Sequence, residues 1–526
     1  MKKDDALSPQ PQEMELKLAL PACDPAELEK KLARMAWLAR RKPSHLQLHN
    51  TYYDTPEQTL RRKRVALRLR CVGSDAKPEW LQTLKMGGTG NSALSQRGEW
   101  ETSVPGAQLA MRALETTPWI DIDPDGDLFR KLAPCFVTSF DRTSWTVRKP
   151  GGSIVEVSLD VGQIAVEGKS IPICELELEL LAGQPAALFG LAQQIARSIA
   201  VMPETRSKAE RSYALAEDSL NRPLRAQPPP LSAKVAPAEA AQCVLREMFC
   251  QFTANLNTLR HSDDPEVLHQ ARVGWRRFRS AHRLFKPVLD ANAVPSWEQL
   301  QTLLTFVGEL RDLDVARTEI LPKFEDAYMA GNARREEKWQ ALMKALTQAA
   351  DVQRKAVCYA LESPSVGTTL LAIMQWLEEL PHKNESGDAQ DALKISLRRW
   401  ARRRIARLHN QFTDALQDTD TLEGQHRARI LAKRTRYGIE ALKPLLSRQR
   451  TKRWYRQATD LQTNIGMARD VVQANLLVVK VQADHDWRSS CAASRRGRSV
   501  RADFHARCRN GVVMARTVRN APPFPL

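Results

Sequence analysis

Charged and apolar residues alternate in short segments through the first 215 residues of the chain. The clearest segment, EMELK at residues 13–17, has a charge at every second position. Because successive side chains of a strand point to opposite faces, Glu13, Glu15 and Lys17 share one face and the apolar residues share the other. This segment alone fits a solvated strand face as well as a ligand site.

The alternation recurs along the chain and predicts many strands with few helices. Strands are expected at 12–20, 46–54, 64–72, 79–86, 96–104, 137–148, 153–161, 163–168 and 173–181. One helix is expected from Pro25 to about residue 40, with Asp24 as its N-cap and Glu27 at capping-box spacing; another is expected at about 185–199. This balance favours an α+β domain whose antiparallel sheet closes into a β-barrel, with the helices packed outside.

The polar face of these strands consists almost wholly of arginine, lysine and acidic residues. The positions concerned are Arg68, Arg70, Lys85, Arg97, Glu99, Glu101, Arg142, Arg148, Glu156, Asp160, Glu175, Glu177 and Glu179. An open sheet with one wet face would carry a looser mixture of polar residues. A closed barrel tolerates such charges only if its interior is hydrated and binds charged ligands. Arginine and lysine bind phosphate, and carboxylates bind Mg²⁺ or Mn²⁺, so we favour a phosphate- and metal-binding interior.

The second half of the chain has a different organisation. Prolines at 223, 228–230 and 237 lack the backbone N–H that helices and sheets use for hydrogen bonds. This segment is therefore predicted to be a semi-rigid linker. Residues 238–480 show the longer pattern of helices. We therefore predict a first domain at 12–218, a linker at 219–238 and a helical domain at 239–526, and leave the structure of the tail after residue 485 open.

The helical half contains an internal repeat. HQAR at 269–272 and KPVL at 286–289 recur as HRAR at 426–429 and KPLL at 443–446. GELRD at 308–312 recurs as GMARD at 466–470, and the offsets agree closely (426 − 269 = 157; 469 − 311 = 158). This predicts a duplicated all-α helical bundle with repeats at about 239–350 and 390–480.

Each copy of the repeat carries a basic stripe along one helix face. Its residues, spaced by three, four and three, are His269, Arg272, Arg276 and Arg279 in the first copy and His426, Arg429, Lys433 and Arg436 in the second. Like charges on one helix face repel by about 0.2–0.5 kcal/mol per pair, so their retention favours a bound anion. The alternative is an ordinary basic surface with ion pairs to Asp312 or Asp470. The arginine-rich segment at 397–409 would extend this surface or contact nucleic acid or a membrane.

Composition restricts the partners further. The net charge of +18 indicates a polyanion: nucleic acid, polyphosphate or an anionic membrane surface. No segment approaches the roughly 18 apolar residues of a membrane span, and the first residues lack a signal-like apolar core, so a cytoplasmic location is expected. The 9 cysteines contain no CxxC pair, which favours reduced packing residues over disulfides or a zinc site.

Six motifs of the first half together resemble the triphosphate tunnel metalloenzymes, or CYTH proteins. They are ExExK at 13–17, LRLR at 67–70, TLK at 83–85, RGEWE at 97–101, ELELE at 175–179 and SKAER at 207–211. The resemblance implies that Glu13, Glu15, Glu175 and Glu177 bind Mg²⁺ or Mn²⁺, with Glu156, Asp160 and Glu179 as alternative ligands. It implies that a triphosphate is bound by Lys17, Arg68, Arg70, Lys85, Arg97, Arg142 and Lys208. No general base is assigned.

The duplicated helical half resembles the CHAD domain, a module associated with binding inorganic polyphosphate. The two resemblances imply hydrolysis of inorganic triphosphate to pyrophosphate and phosphate, with long-chain polyphosphate bound by the basic stripes. Two alternatives stay open: an organic triphosphate such as ATP or thiamine triphosphate, and a non-catalytic protein that binds polyphosphate or nucleic acid. An organic group would require an aromatic or shaped pocket, which no sequence feature indicates.

Overall fold

The computed structural model describes residues 12–20, 24–73, 78–87, 92–290, 293–383 and 396–490; the rest of the predicted tail lies outside them. The strands are β1 (Gln12–Ala19), β2 (Ser44–Asp54), β3 (Val65–Val72), β4 (Glu79–Met86), β5 (Leu94–Val104), β6 (Ala133–Arg148), β7 (Ile154–Val166), β8 (Lys169–Ala182) and β9 (Met202–Pro203). Their order is β5-β4-β3-β2-β6-β7-β8-β1-β9, and β5 also pairs with β1. Strands β1 to β8 therefore form a closed antiparallel barrel, which confirms the predicted fold class.

One strand differs from its predicted bounds in an informative way. The segments predicted at 153–161 and 163–168 form the single strand β7. Gly162 at the predicted break packs against β6, where an added Cβ would lie 2.1 Å from the carbonyl oxygen of Ser139. The glycine permits this close approach and does not interrupt the strand. β8 also begins at Lys169, before the predicted residue 173.

The helices of the first half lie around the barrel. They are α1 (Pro25–Ala33), α2 (Thr59–Arg62), α3 (Trp119–Ile122), α4 (Asp127–Arg130), α5 (Ala186–Ala196) and α6 (Lys208–Ala216). α1 ends earlier than predicted. Asp24 caps it by accepting a hydrogen bond from the Ala26 N–H at 3.0 Å, as predicted. Glu27, expected at capping-box spacing, forms an ion pair with Lys30. α6 begins with a capping box between Ser207 and Glu210. This cap fixes the first turn of α6, from which Lys208 reaches the barrel interior.

The second half is helical. Its helices are α7 (Pro237–Leu259), α8 (Pro265–Phe285), α9 (Gln301–Val315), α10 (Glu325–Met329), α11 (Ala333–Leu361), α12 (Pro364–Lys383), α13 (Leu397–Leu416), α14 (Leu422–Leu442) and α15 (Arg448–Ser490). The repeated motifs have the same local structure: α8 and α14 each span 21 residues and each continues into a 3-10 turn, at Lys286–Val288 and Lys443–Leu445.

The two halves pack directly against each other. The guanidinium of Arg260, just after α7, donates to the Leu20 carbonyl just after β1 at 2.6 Å, and the Asn257 amide donates to the Pro203 carbonyl at 3.0 Å. Buried apolar residues of both halves, such as Leu18 and Phe252, belong to one continuous core. The β1 side of the barrel is therefore packed against the helical half.

No single helix among the described residues is both long and apolar enough to cross a bilayer. One pair bent by 61°, Ala333–Leu361 with Pro364–Leu380, meets the length and composition criteria when taken together.

Candidate functional site

A cavity of about 450 Å³ lies inside the barrel, lined by inward-facing residues of the strands and by the start of α6. The alternation predicted for β1 is observed, because Glu15 and Lys17 face this cavity while Leu16 and Leu18 are fully buried in the core outside it. All seven cationic residues predicted to bind triphosphate line the cavity: Lys17, Arg68, Arg70, Lys85, Arg97, Arg142 and Lys208. The structure therefore gathers the predicted cations around one enclosed space.

An acidic cluster lies deep in the barrel, where β6, β7 and β8 meet α6. Carboxylate oxygens of Asp160, Glu175 and Glu177 lie within 4.8 Å of one another. The Lys208 ammonium contacts all three, at 2.6 Å from Asp160 and 2.9 Å from Glu177. Arg142 pairs with Asp160 at 2.7 Å and also with Glu177. Although burial opposes ionisation, Lys208 and Arg142 hold the pKa of Glu177 well below its usual value.

A second charged group lies on β1, β4 and β5. Lys85 donates to both carboxylate oxygens of Glu13, at 3.0 and 3.1 Å, and lies 2.8 Å from Glu99. Arg97 donates to Glu13 at 2.9 Å and also to Glu15. Burial alone would raise the pKa of Glu99, but the Lys85 ammonium lowers it to about 2. The carboxylates of this group therefore share two cations, Lys85 and Arg97.

Glu179 lies beside this group and has a different environment. Burial, followed by repulsion from the Glu13 and Glu99 carboxylates, raises the pKa of Glu179 to about 7. Glu156 faces Glu179 across the β7–β8 pair and adds to the repulsion. This part of the cavity therefore has a local excess of carboxylates, which a divalent cation would relieve.

The four carboxylates predicted to bind one metal fall into two groups. In the β1–β8 pair, Glu15 lies opposite Glu179 and Ala19 lies opposite Glu175. Glu13 and Ala19 are six residues apart (19 − 13), and at roughly 3.3 Å per residue this separates Glu13 from Glu175 by about 20 Å along the strands. A single ion cannot contact both. Each group nevertheless supplies the hard carboxylate oxygens that Mg²⁺ and Mn²⁺ prefer, so the residues present fit a divalent cation.

Arg68 and Arg70 form a cationic wall on β3. Arg68 donates to the Thr83 hydroxyl at 3.2 Å and pairs with Glu99 at 3.4 Å. Arg70 donates to the Asn50 amide oxygen at 2.8 Å. Burial, followed by repulsion from Arg68 and Arg142, lowers the pKa of Arg70 to about 10. Although Arg70 also lies 3.8 Å from Glu101, an anion placed beside it would offset the repulsion from Arg68 and Arg142.

Three residues that support the site were not assigned from the sequence. The Asn50 amide oxygen accepts a hydrogen bond from Arg70. Tyr52 lines the cavity; burial alone would raise the pKa of its hydroxyl, but the neighbouring Arg68 lowers it. Arg211 pairs with the deep Glu175. Asn50 and Tyr52 could have been found because they share one face of the strand predicted at 46–54. Arg211 could have been found because it belongs to the SKAER motif.

The predicted basic stripes lie on α8 and α14. Burial, followed by the nearby Arg311, lowers the pKa of His269, whereas His426 is exposed. Arg436 pairs with Glu440 at 3.9 Å and lies over the ring of Tyr437. Several stripe residues and both aspartates of the alternative interpretation have interaction partners: Arg272, Arg429, Lys433, Asp312 and Asp470. Anion binding by the stripes stays a prediction.

Comparisons with known proteins agree with this organisation. Residues 11–213 match the family model of the CYTH domain, and residues 243–478 match that of the CHAD domain, which confirms both predicted resemblances. An inorganic triphosphatase of Haemophilus influenzae is 33% identical over 211 residues, which are 39% of this chain and 55% of that protein. The match thus spans about half the length of that relative.

Two solved structures are also similar to parts of the chain. The CHAD domain of the plant Ricinus communis is 25% identical, covers 57% of this chain and 93% of its own, and has a TM-score of 0.45. The PH1819 protein of Pyrococcus horikoshii is 20% identical, covers 39% of this chain and 99% of its own, and has a TM-score of 0.26.

Proposed function

Because this chain carries a CYTH domain followed by a CHAD domain, we propose that it hydrolyses inorganic triphosphate to pyrophosphate and phosphate with the help of Mg²⁺ or Mn²⁺. The observation that carries this proposal is the cavity itself, in which seven cationic side chains and a comparable set of carboxylates face one enclosed space. The name of the Haemophilus influenzae relative, an inorganic triphosphatase, supports the same reaction class.

The charges of the cavity provide for both ends of a triphosphate. Arg142 and Lys208 lie on the side of the cavity formed by β6, β7, β8 and α6, whereas Lys85 and Arg97 lie on the β4–β5 side. Each of these cations is now paired with a carboxylate, so phosphate oxygens would replace carboxylate oxygens as their partners. This exchange keeps the buried cations neutralised when substrate enters.

A divalent cation would be held by one of the two groups of carboxylates, either Glu13 and Glu15 on β1 or Glu175 and Glu177 on β8. When bound, the cation supplies charge neutralisation on the phosphoryl group and orientation of the attacking water. The chain's own contribution is to position the phosphate chain and to keep the carboxylates of Glu15 and Glu177 ionised. For Glu15, burial alone would raise the pKa, but Lys17 and Arg97 lower it.

We propose that the CHAD domain binds long-chain polyphosphate through the stripes on α8 and α14. The net charge of +18 supports an anionic partner. Binding of long polyphosphate and of RNA, measured at matched salt because both are salt-dependent, would separate the two polyanions. Tighter binding of RNA would contradict this part of the proposal.

A substrate panel tests the proposed reaction. The full-length protein, freed of metal by a chelator, would be given tripolyphosphate, ATP, thiamine triphosphate or long polyphosphate, each with Mg²⁺ or Mn²⁺. We expect the highest kcat/KM with tripolyphosphate. A higher kcat/KM with ATP or thiamine triphosphate would contradict the choice of an inorganic substrate.

One structural observation favours a second candidate, an organic triphosphate. Apolar side chains of β2, β3 and β4 line one wall of the cavity: Leu46, Leu48, Val72 and Leu81. Leu46 is 42% exposed, although it faces the cavity. A base or ring attached to the triphosphate would pack against this wall, a feature that the sequence did not indicate.

Leu46→Ala distinguishes the two candidates. For an inorganic substrate we expect kcat/KM to change by less than about twofold, because tripolyphosphate has no apolar group to pack. For an organic substrate kcat/KM should fall by about tenfold, since apolar contacts of this size discriminate by roughly 1–3 kcal/mol. Ile120→Ala, which removes an apolar side chain that is 58% exposed and does not line the cavity, is the matched control.

A further inference from the structure

Lys17 lies at the point where strand β1 changes its hydrogen-bonding partner. Along one edge, β1 pairs with β5 before this residue and with β9 after it. The Lys17 N–H donates to the Ala93 carbonyl, just before β5, at 3.0 Å, and the Lys17 carbonyl accepts from the Glu204 N–H, just after β9, at 2.9 Å. Two segments that lie outside the paired strands therefore hold the backbone of a residue that lines the barrel cavity.

The helical half binds the segment that follows β9. The Asn257 amide of α7 donates to the Pro203 carbonyl at 3.0 Å and to the Glu204 carboxylate at 3.4 Å. Arg260, one turn later, donates to the Leu20 carbonyl just after β1 at 2.6 Å. Two side chains from the end of α7 therefore bind the backbone just before Glu204 and just after β1.

The helical half also contacts the segment that precedes β5. The Ser92 hydroxyl, next to Ala93, donates to the Glu378 carboxylate of α12 at 3.4 Å. Glu378 in turn forms an ion pair with Arg246 of α7. Ala93 itself is buried and belongs to the core that the two halves share. Both segments that hold the Lys17 backbone are therefore anchored to the helical half.

The Lys17 side chain lies next to both groups of carboxylates. It is buried and forms an ion pair with Glu15, and Lys17 lies opposite Glu177 in the register of β1 and β8. In the proposed function the Lys17 ammonium binds the triphosphate. We propose that Asn257 and Arg260 of the helical half are positioning residues for Lys17, a role that rests on this proposed function.

Hydrogen bonds to the backbone allow a helix outside the barrel to place this ammonium. The backbone of a strand fixes the direction of its side chains, so a shift of β1 carries Lys17 with it. Backbone carbonyls that lose their donors need new partners, which favours such a shift. A misplacement of about 1 Å in an active site lowers the rate by about 10²-fold. Neither Asn257 nor Arg260 lines the cavity, so both act through the path of β1.

Steady-state kinetics with tripolyphosphate and Mg²⁺ test the positioning role. In the full-length protein, Asn257→Ala with Arg260→Ala should lower kcat/KM by at least about tenfold, because β1 loses two anchors and Lys17 moves. In a Lys17→Ala background the same pair should lower kcat/KM by less than about twofold, since the ammonium that they place is already absent. A purely structural role predicts equal losses in the two backgrounds.

A matched control lies at the same interface. The Gln193 amide of α5 donates to the Gln375 amide oxygen of α12 at 2.9 Å, a contact between the halves that does not involve the Lys17 backbone. Gln375→Ala should change kcat/KM by less than about twofold. Asn257→Ala alone is a milder variant for the case in which the pair does not fold, and should lower kcat/KM by about fivefold. Urea unfolding of each variant defines conditions in which all are folded.

A failure of the proposed function would give a different result. If wild-type protein binds tripolyphosphate without hydrolysing it, the proposed function is refuted. Calorimetric titration without metal then replaces kinetics, and the Asn257 and Arg260 substitutions should weaken binding only when Lys17 is present. Activity or affinity within about twofold of wild type in these folded variants would overturn the positioning role. An equal loss in the Lys17→Ala background, or an equal loss in Gln375→Ala, would also overturn it, and absence of any tripolyphosphate binding would refute both.

Discussion

Replacing Glu13 and Glu15 together by alanine should lower kcat/KM for tripolyphosphate by at least about 10³-fold. Loss of charge neutralisation at the phosphoryl group removes several kcal/mol of transition-state stabilisation, and each 1.36 kcal/mol corresponds to a tenfold rate change. Phosphate release by wild type and variant, measured over a range of Mg²⁺ and Mn²⁺ concentrations, checks the prediction. We expect the variant to need much more metal, or to show no metal response.

The design must separate metal binding from folding. Alanine at both positions leaves Lys85 and Arg97 without their Glu13 partner, so the isosteric pair Glu13→Gln and Glu15→Gln should be measured alongside. Glu27→Ala, which removes an exposed carboxylate on α1, is the control and should retain wild-type activity. Robust metal-dependent turnover by folded alanine and glutamine variants would exclude these residues as the metal site.

Asp160→Ala should destabilise the protein by about 3 kcal/mol. Asp160 is fully buried and accepts from Arg142 at 2.7 Å and from Lys208 at 2.6 Å, so alanine leaves two buried cations short of a partner. Breaking a buried ion pair costs about 3–5 kcal/mol, and the low end applies because Glu177 still contacts both cations. Urea unfolding followed by circular dichroism measures the loss.

A matched control lies on the adjacent strand. Asp141→Ala removes an exposed aspartate next to Arg142, and should change the free energy of unfolding by less than about 0.5 kcal/mol. If Asp160→Ala unfolds at the same urea concentration as wild type, the deep cluster does not hold β7 to α6. A loss of activity in that variant would then point to a direct role in binding metal or substrate.

The inward face of each strand could be predicted from the sequence, because alternation needs only the order of residues along one strand. Which inward residues meet across strands could not, because strand register depends on tertiary pairing. The cluster of Asp160, Glu175 and Glu177 forms because Asp160 lies opposite Glu175, and Lys208 reaches it from a separate helix. The sequence therefore identified most of the charged residues but grouped Glu13 with Glu175, which lie far apart on β1 and β8.

Patterns within a single strand or helix did not predict contacts between elements, and the structure explains why. Gly162 resembled a strand break, yet it serves a close approach between strands. The basic stripes followed from helical periodicity, whereas the cavity lined by Arg283, Arg404, Arg407 and Arg434 requires α8 to pack against α13 and α14, which come much later in the chain. Patterns within one element were predictable, and sites built between elements were not.

In the proposed reaction, the barrel hydrolyses a phosphoanhydride bond with a divalent cation. The most direct measurement is the yield of phosphate and pyrophosphate from tripolyphosphate, using full-length protein first treated with a chelator and then given Mg²⁺ or Mn²⁺. We predict no release without metal and equimolar phosphate and pyrophosphate once metal is restored. Absence of any release with either metal, at enzyme concentrations equal to substrate, would show that the barrel does not catalyse this reaction.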